Sequence, residues 1–120
     1  MHLVKENIIQ QKSFDFALKI VRLTKLLETE QKEFVLSKQL LRSGTAIGAL
    51  VREAEHAESK KDFIHKMSIS LKEANETRYW LDLLNKSGFV QDYDYDKVNN
   101  EIVQIIKLLA SIVKSSKQNV

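Results

Sequence analysis

Two short stretches of this sequence carry the residue types of a di-iron site. Glu53-Ala-Glu-His56 is a Glu-x-x-His element, and Asp62-Phe-Ile-His65 nearly repeats it. Four-helix di-iron proteins combine two such elements with a carboxylate from each of the other two helices. The flanking segments offer only Asp15 and Glu101 in their interiors, and both histidines lie close to a predicted turn. We interpret these residues as exposed polar groups near helix ends, and we predict neither a metal nor a cofactor.

The aspartates at positions 92, 94 and 96 have the alternate spacing of a calcium-binding loop. Such a loop needs glycine at its sixth position and glutamate at its twelfth, where this sequence has Lys97 and Val103. We expect one aspartate to cap a helix and the others to favour its positive N-terminus. The sequence contains neither a nucleophile–base–orienter set nor a glycine-rich phosphate loop. We therefore predict no catalytic residue and no enzymatic activity.

One charged group is predicted to hold two helices in register. In an antiparallel hairpin that turns near residue 58, position 42 lies opposite position 74. Arg42 can therefore pair with Glu73 and Glu76. An RNA-contacting arginine is the less favoured interpretation of the same residue.

A second set of charges could bind phosphates. The chain is mildly basic, with a net charge of +3 and a pI near 9.1. Six carboxylates lie in two loops, at 28–33 and 91–96, with Lys32 as the only base, and an up-down bundle brings both loops to one end. Phosphates should avoid that end and prefer the helix flanks. The candidate nucleic-acid-binding residues on those flanks are Lys12, Lys19, Arg22, Lys25, Lys107, Lys114 and Lys117. An ordinary solvated face explains these side chains equally well.

Four amphipathic helices must position these groups, at about residues 7–27, 31–56, 60–86 and 95–115. Apolar residues recur in each at steps of three and four, as on one face of a helix. A chain of 120 residues with 43% hydrophobic content, no proline and three glycines suits a single helical domain, 1–120. Short loops predict an all-α, antiparallel up-down-up-down four-helix bundle. The residues predicted to be mostly buried are Phe16, Ile20, Leu40, Ile47, Phe63, Met67, Leu71, Ala74, Leu81, Ile102, Ile105 and Leu109.

Local signals mark the helix ends and one close contact. Ser59 with Asp62 predicts a capping box, Gly88 a left-handed helix end, and Thr29 a cap for the second helix. Gly44 and Gly48 share a helix face and cost about 1 kcal/mol each relative to alanine. We interpret them chiefly as core, beside the small middle of the third helix. The alternative interpretation is close backbone approach by a neighbouring helix.

Surface and environment are predicted only coarsely. Of the adjacent Tyr79 and Trp80, one must lie on an outer face near Leu83, where it would suit a subunit interface. The sequence has no cysteine, no signal-peptide core at its start and no apolar run of membrane-spanning length. We expect a cytoplasmic protein without a membrane partner.

The run from Gln39 to Leu84 resembles the four-helix-bundle family named after proteins encoded in 23S rRNA intervening sequences. Members read roughly Q-x-x-R-(S/A)-x-x-S-I-x-x-N-I-x-E-(G/A), then S-K-x-(E/D)-F, then L-x-E-(A/L)-x-E-T. This sequence follows the pattern in QLLRSGTAIGALVREA, SKKDF and LKEANET. It departs at Ala46, where the family has serine, and at Leu50, where the family has asparagine.

The resemblance implies a bacterial-type bundle without established enzymatic activity, and some members form homopentamers. A similar bundle is the accessory protein of diversity-generating retroelements, which binds reverse transcriptase and nucleic acid. We therefore expect a non-enzymatic homopentamer that associates with RNA or DNA, and it could also bind a protein partner. The alternative is a scaffold or adaptor that binds only protein.

Overall fold

The computed structural model describes residues 4–118. They form four helices, α1 (Val4–Gln31), α2 (Val35–Glu55), α3 (Lys60–Lys86) and α4 (Asp92–Gln118). Each helix packs on the next in the sequence and α1 packs on α4, whereas the backbones of α1 and α3, and those of α2 and α4, do not approach each other closely. The helices therefore stand at the corners of a square, and the predicted all-α four-helix bundle is confirmed. The bundle measures 47 × 22 × 19 Å.

The buried residues follow the predicted stripes. Those of α3 are Met67, Ser70, Ala74, Thr77, Leu81 and Leu84. Those of α4 are Ile102, Ile105, Leu109 and Ile112. Of the twelve side chains predicted to be mostly buried, ten are buried, while Phe63 and Leu71 are partly buried against the core. The steps of three and four therefore located the inner face of each helix correctly.

Small residues bring α2 close to two neighbours. Gly44 and Gly48 face α1 rather than the middle of α3, which corrects the sequence-based expectation. A Cβ atom built on Gly44 would lie 2.9 Å from Ile20 Cγ2, and one on Gly48 would lie 3.3 Å from Ser13 Oγ. The α2–α3 contact is made instead by hydroxyl groups, because Ser70 donates to the carbonyl oxygen of Ile47 at 3.0 Å. The hydroxyls of Ser43 and Thr77 share a buried hydrogen bond of 2.9 Å.

Two of the three predicted helix-end signals act as expected. Asp62 N–H donates to Ser59 Oγ at 3.0 Å, and Asp62 in turn accepts from the N–H of Glu58 at 3.2 Å. Gly88 has the left-handed backbone (φ 88°) that ends α3.

The prediction for Thr29 is wrong, because α1 continues to Gln31 and the Thr29 hydroxyl donates back to the carbonyl of Lys25. Lys32 (φ 54°) closes α1 instead, and Glu33 N–H bonds to the carbonyl of Leu27 at 3.0 Å. α2 then begins at Val35 rather than near residue 31. The Glu33 carboxylate supplies the cap by accepting from the N–H of Ser37 at 2.7 Å.

The last helix begins earlier than the predicted Tyr95. α4 starts at Asp92, so the segment 91–96, which was expected to be a loop, is helical from its second residue onward. Asn85 bridges the turn, because its side-chain amide donates to Val90 O and to the Asp92 carboxylate, both at 2.9 Å. The aspartates at positions 92, 94 and 96 consequently occupy the first turns of α4, where their charge favours the helix N-terminus.

Candidate nucleic-acid interface

Three lysines spaced seven apart on α1 tie that helix to α4. Lys5 Nζ donates to Ser111 Oγ at 2.6 Å, and Lys12 Nζ donates to Gln104 Oε1 at 3.0 Å. Lys19 forms an ion pair with Glu101. The charge of Lys19 is thus compensated, whereas Lys5 and Lys12 meet only neutral partners. Lys5 was absent from the predicted set, although its spacing from Lys12 in the sequence was a signal that could have found it.

The other five candidate residues are exposed. Within residues 4–118, none of them has a hydrogen bond or an ion pair to another side chain. They fall into two groups. Arg22 and Lys25 lie on the later half of α1, and the remaining three lie on the later half of α4, at positions 107, 114 and 117. Because α1 and α4 are antiparallel, the end of α4 stands beside the start of α1.

The carboxylates of 28–33 and 92–96 gather at the opposite end of the bundle. Gln31 Nε2 donates to the carbonyl of Phe89 at 2.6 Å, so the end of α1 lies beside the α3–α4 turn. This contact brings the carboxylates of 28–33 and of 92–96 to one end, as the up-down topology predicted. On α1 and α4 the charges are therefore segregated along the long axis. We call the exposed or neutrally paired cations in the other half of α1 and α4 the basic flank; they are Lys5, Lys12, Lys107, Lys114 and Lys117.

The predicted charged group between α2 and α3 comes together away from this flank. Arg42 Nη1 lies 3.2 Å from Glu73 Oε1, and the Nη2 atom of the same arginine pairs with Glu76. Trp80 Nε1 also donates to Glu76, at 3.0 Å. Trp80 is thereby held half-buried against the ion pair, and its neighbour Tyr79 is left 56% exposed on the outer face. The position of Arg42 fits a role in fixing the register of α2 and α3.

Residues 5–111 match the sequence profile of the family described as 23S rRNA-intervening sequence protein. The chain belongs to this family. It is also similar to a crystal structure from Bacteroides thetaiotaomicron VPI-5482, described as a protein with unknown function from the S23 ribosomal protein family. The two share 55% identity over 92% of this chain and 99% of that one, with a TM-score of 0.91. No curated protein matches the chain.

Both departures from the pattern of the 23S rRNA-intervening sequence family lie on α2. Ala46 and Leu50 are half-buried, one helical turn apart, on the side that faces α3. Alanine and leucine cannot form the side-chain hydrogen bonds that the serine and asparagine of the family pattern can form. Any polar contact that other members make through these two positions is therefore missing from this protein.

Two carboxylates of the di-iron pattern, Glu53 and Asp62, have structural partners in this family member. Glu53 pairs with Lys66 at 3.0 Å, and this contact raises the pKa of the lysine. Asp62 belongs to the cap of α3. Across residues 4–118, no three histidine, cysteine or acidic side chains are placed to hold a metal ion. No helix in this part of the chain combines the length and apolarity needed to cross a bilayer.

Proposed function

We propose that this chain is a non-enzymatic accessory protein that forms a homo-oligomer, a pentamer, and binds RNA or DNA through the basic flank. The observation that carries the proposal is the separation of charge along α1 and α4. Three exposed lysines of α4 lie beside the start of α1, at the end remote from the six carboxylates of 28–33 and 92–96.

Such a distribution suits a polyanion for a general physical reason. Lysines that neutralise phosphates release condensed counterions, and this release supplies most of the free energy of sequence-independent binding. The basic flank is free to act in this way because its lysines have no acidic partner within residues 4–118. A ring of several copies would repeat the flank and strengthen its field. Membership of a 23S rRNA-intervening sequence family agrees with an RNA partner. We propose that the protein acts in the cytoplasm.

A charge-reversal pair tests this proposal. Lys107→Glu with Lys114→Glu should weaken binding to single-stranded RNA and flatten its salt dependence. The slope of log K against log salt should fall by about 1.4, because each lost phosphate contact contributes about 0.7 for a single strand. The matched control is Lys32→Glu with Lys38→Glu, which makes the same change in net charge towards the acidic end and should leave the slope unchanged. Equal effects of the two pairs would refute a localised interface.

The apolar surface favours a second candidate function, a scaffold that binds only protein. Phe14 and Val21 on α1 are 49% and 47% exposed, and Leu41 on α2 is 37% exposed. Exposed apolar groups that share one side of a small protein often mark a protein interface. If the parent protein binds neither RNA, single-stranded DNA nor duplex DNA at low salt, this candidate replaces the first.

A further inference from the structure

The outer side of α3 carries a row of basic and aromatic side chains. His65, Lys72, Tyr79 and Lys86 are spaced seven apart and therefore share one helix face. Lys61 and Leu83 border the same face. All six side chains are exposed. We call this set the α3 ridge.

The ridge is basic because every carboxylate of α3 is used elsewhere. Glu73 and Glu76 turn towards Arg42 on α2. Asp82 accepts the hydroxyl hydrogen of Tyr95 on α4, and Asp62 takes part in the cap of its own helix. The lysines of the ridge have no such partners among residues 4–118. The ridge therefore offers three unpaired cations and one large apolar side chain at its centre.

A groove between α1 and α2 has the complementary character. It encloses about 970 Å³, and its floor is made by small residues, including Ala17, Gly48 and Ala49. Phe14 forms one wall, with the Arg52 guanidinium 5.8 Å from the centre of its ring. The mouth at the hairpin end has four carboxylates against two cations; these are Glu53, Glu55, Glu58, Asp62, Arg52 and Lys66. Beyond the other end of the groove, on the same side of the bundle, lie the exposed Val21 and Leu41.

The contacts between neighbouring helices show which parts of the ridge and the groove lie at the same level, that is, at the same position along the long axis of the bundle. Lys66 pairs with Glu53, so His65 and Lys61 stand at the level of the acidic mouth. Arg42 pairs with Glu76, so Tyr79 stands at about the level of Leu41. A rotation about an axis parallel to the helices preserves these levels. It would place Lys61 and His65 against the carboxylates and Tyr79 against the apolar end of the groove.

We propose that the α3 ridge of one copy packs into the α1/α2 groove of a second copy, an inference that rests on the self-association proposed above. The two surfaces complement each other in charge at the hairpin end and in the position of their apolar parts. The groove lies between two corners of the square and the ridge lies on a third corner, so the surfaces do not face opposite directions. Successive copies therefore turn relative to one another, and head-to-tail contacts of this kind form a ring when the rotation closes.

Cross-linking tests the contact directly, because the chain has no cysteine of its own. A double variant with Leu41→Cys and Tyr79→Cys, treated with a short bis-maleimide reagent, should give a ladder of covalent multimers on a denaturing gel. Either single variant should remain monomeric on the same gel. The matched control combines Leu41→Cys with Tyr93→Cys, since Tyr93 is 70% exposed on α4 and belongs to neither surface. This control should give no ladder.

Light scattering at micromolar concentration provides a second test of the ridge–groove contact, because it measures the mass of the oligomer. Tyr79→Asp should reduce the mass to that of a single chain, 13.9 kDa, whereas Tyr93→Asp should keep the mass of the parent. Circular dichroism should show both variants folded, because both tyrosines are exposed.

The outcomes separate this contact from the proposed function. A monomeric parent overturns the self-association in the proposed function and the contact with it. An oligomeric parent whose Tyr79→Asp variant keeps its mass refutes the ridge–groove contact alone. Cross-linking of the Tyr79→Cys single variant would show a two-fold contact between ridges, which also refutes it. If Tyr79→Asp keeps the mass but weakens RNA binding, the ridge is a nucleic-acid surface and the proposal fails.

Discussion

Replacing Gly44 with alanine should destabilise the fold, although alanine is the better helix former. The gain in helix propensity is about 1 kcal/mol. The new Cβ, however, would lie 2.9 Å from Ile20 Cγ2 and 3.1 Å from Ile20 Cγ1. Ile20 is fully buried and branched at Cβ, so neither atom can swing away without a change of rotamer. Overpacking of this kind costs about 1–3 kcal/mol, which leaves a net loss of up to about 2 kcal/mol.

Gly48 provides the matched control on the same helix face. Its added Cβ would lie 3.3 Å from Ser13 Oγ and 3.4 Å from Ser13 backbone atoms, so a shift of a few tenths of an ångström would relieve the contact. Gly48 also lines the open α1/α2 groove. Gly48→Ala should therefore change stability by less than about 1 kcal/mol. For the same reason Gly44→Leu should cost more than Gly48→Leu.

Urea unfolding followed by circular dichroism, at one fixed protein concentration, measures these differences. The decisive comparison repeats Gly44→Ala in an Ile20→Ala background, where both clashing Cγ atoms are gone. There the substitution should be neutral or stabilising by up to about 1 kcal/mol, since only the propensity gain remains. An equal cost in both backgrounds would show that the α1–α2 contact is not what excludes a side chain at position 44.

Two further predictions concern polar contacts. Thr77→Val should lower the free energy of unfolding by about 1–3 kcal/mol, because it leaves the buried Ser43 hydroxyl without its 2.9 Å partner. Adding Ser43→Ala to this variant should recover part of the lost stability in the same urea assay. The hydrogen bond from Tyr95 to Asp82, together with burial, raises the pKa of Tyr95 from 10 to about 12. The folded state therefore keeps this proton longer than the unfolded state, so the contribution of Tyr95 is complete below pH 10 and is lost as the pH rises to 12. Thermal melts between pH 9 and pH 12 should consequently fall more steeply for the parent than for Tyr95→Phe, and parallel curves would contradict the pKa difference.

Periodicity predicted the fold because each helix has one apolar stripe, and that stripe must face the core whatever the neighbours are. Of the α3 residues predicted to be mostly buried, Met67, Ala74 and Leu81 are buried, whereas Phe63 and Leu71 are partly buried. Periodicity does not specify which neighbour a small residue meets, and the two glycines were accordingly assigned to the wrong helix. Helix ends were predicted where one residue decides them, as at Ser59 and Gly88. At Thr29 the prediction failed, because the Glu33 carboxylate competes as a cap and the left-handed turn at Lys32 delays the start of α2.

The sequence identified most of the lysines of the candidate interface, but it did not show which of them are compensated by a carboxylate. Lys12 and Lys19 belong to one stripe in the sequence. Only the rotation of α4 about its axis determines that one meets Gln104 and the other Glu101. The same orientation of α4 places the neutral Ser111 beside Lys5, so Lys5 belongs to the basic flank. The outer position of Tyr79 followed from its adjacency to Trp80, but the basic character of its surroundings depends on where the carboxylates of α3 find partners.

Sedimentation velocity of the protein with a fluorescent single-stranded RNA at low salt tests the central claim most directly. Fluorescence detection follows the RNA, and absorbance follows the protein. A nucleic-acid-binding homo-oligomer predicts that the RNA moves with a species of several subunits, near five times the chain mass of 13.9 kDa for a pentamer. It also predicts that the RNA is released as salt is raised. Free RNA beside a single-chain protein would contradict both parts of the account.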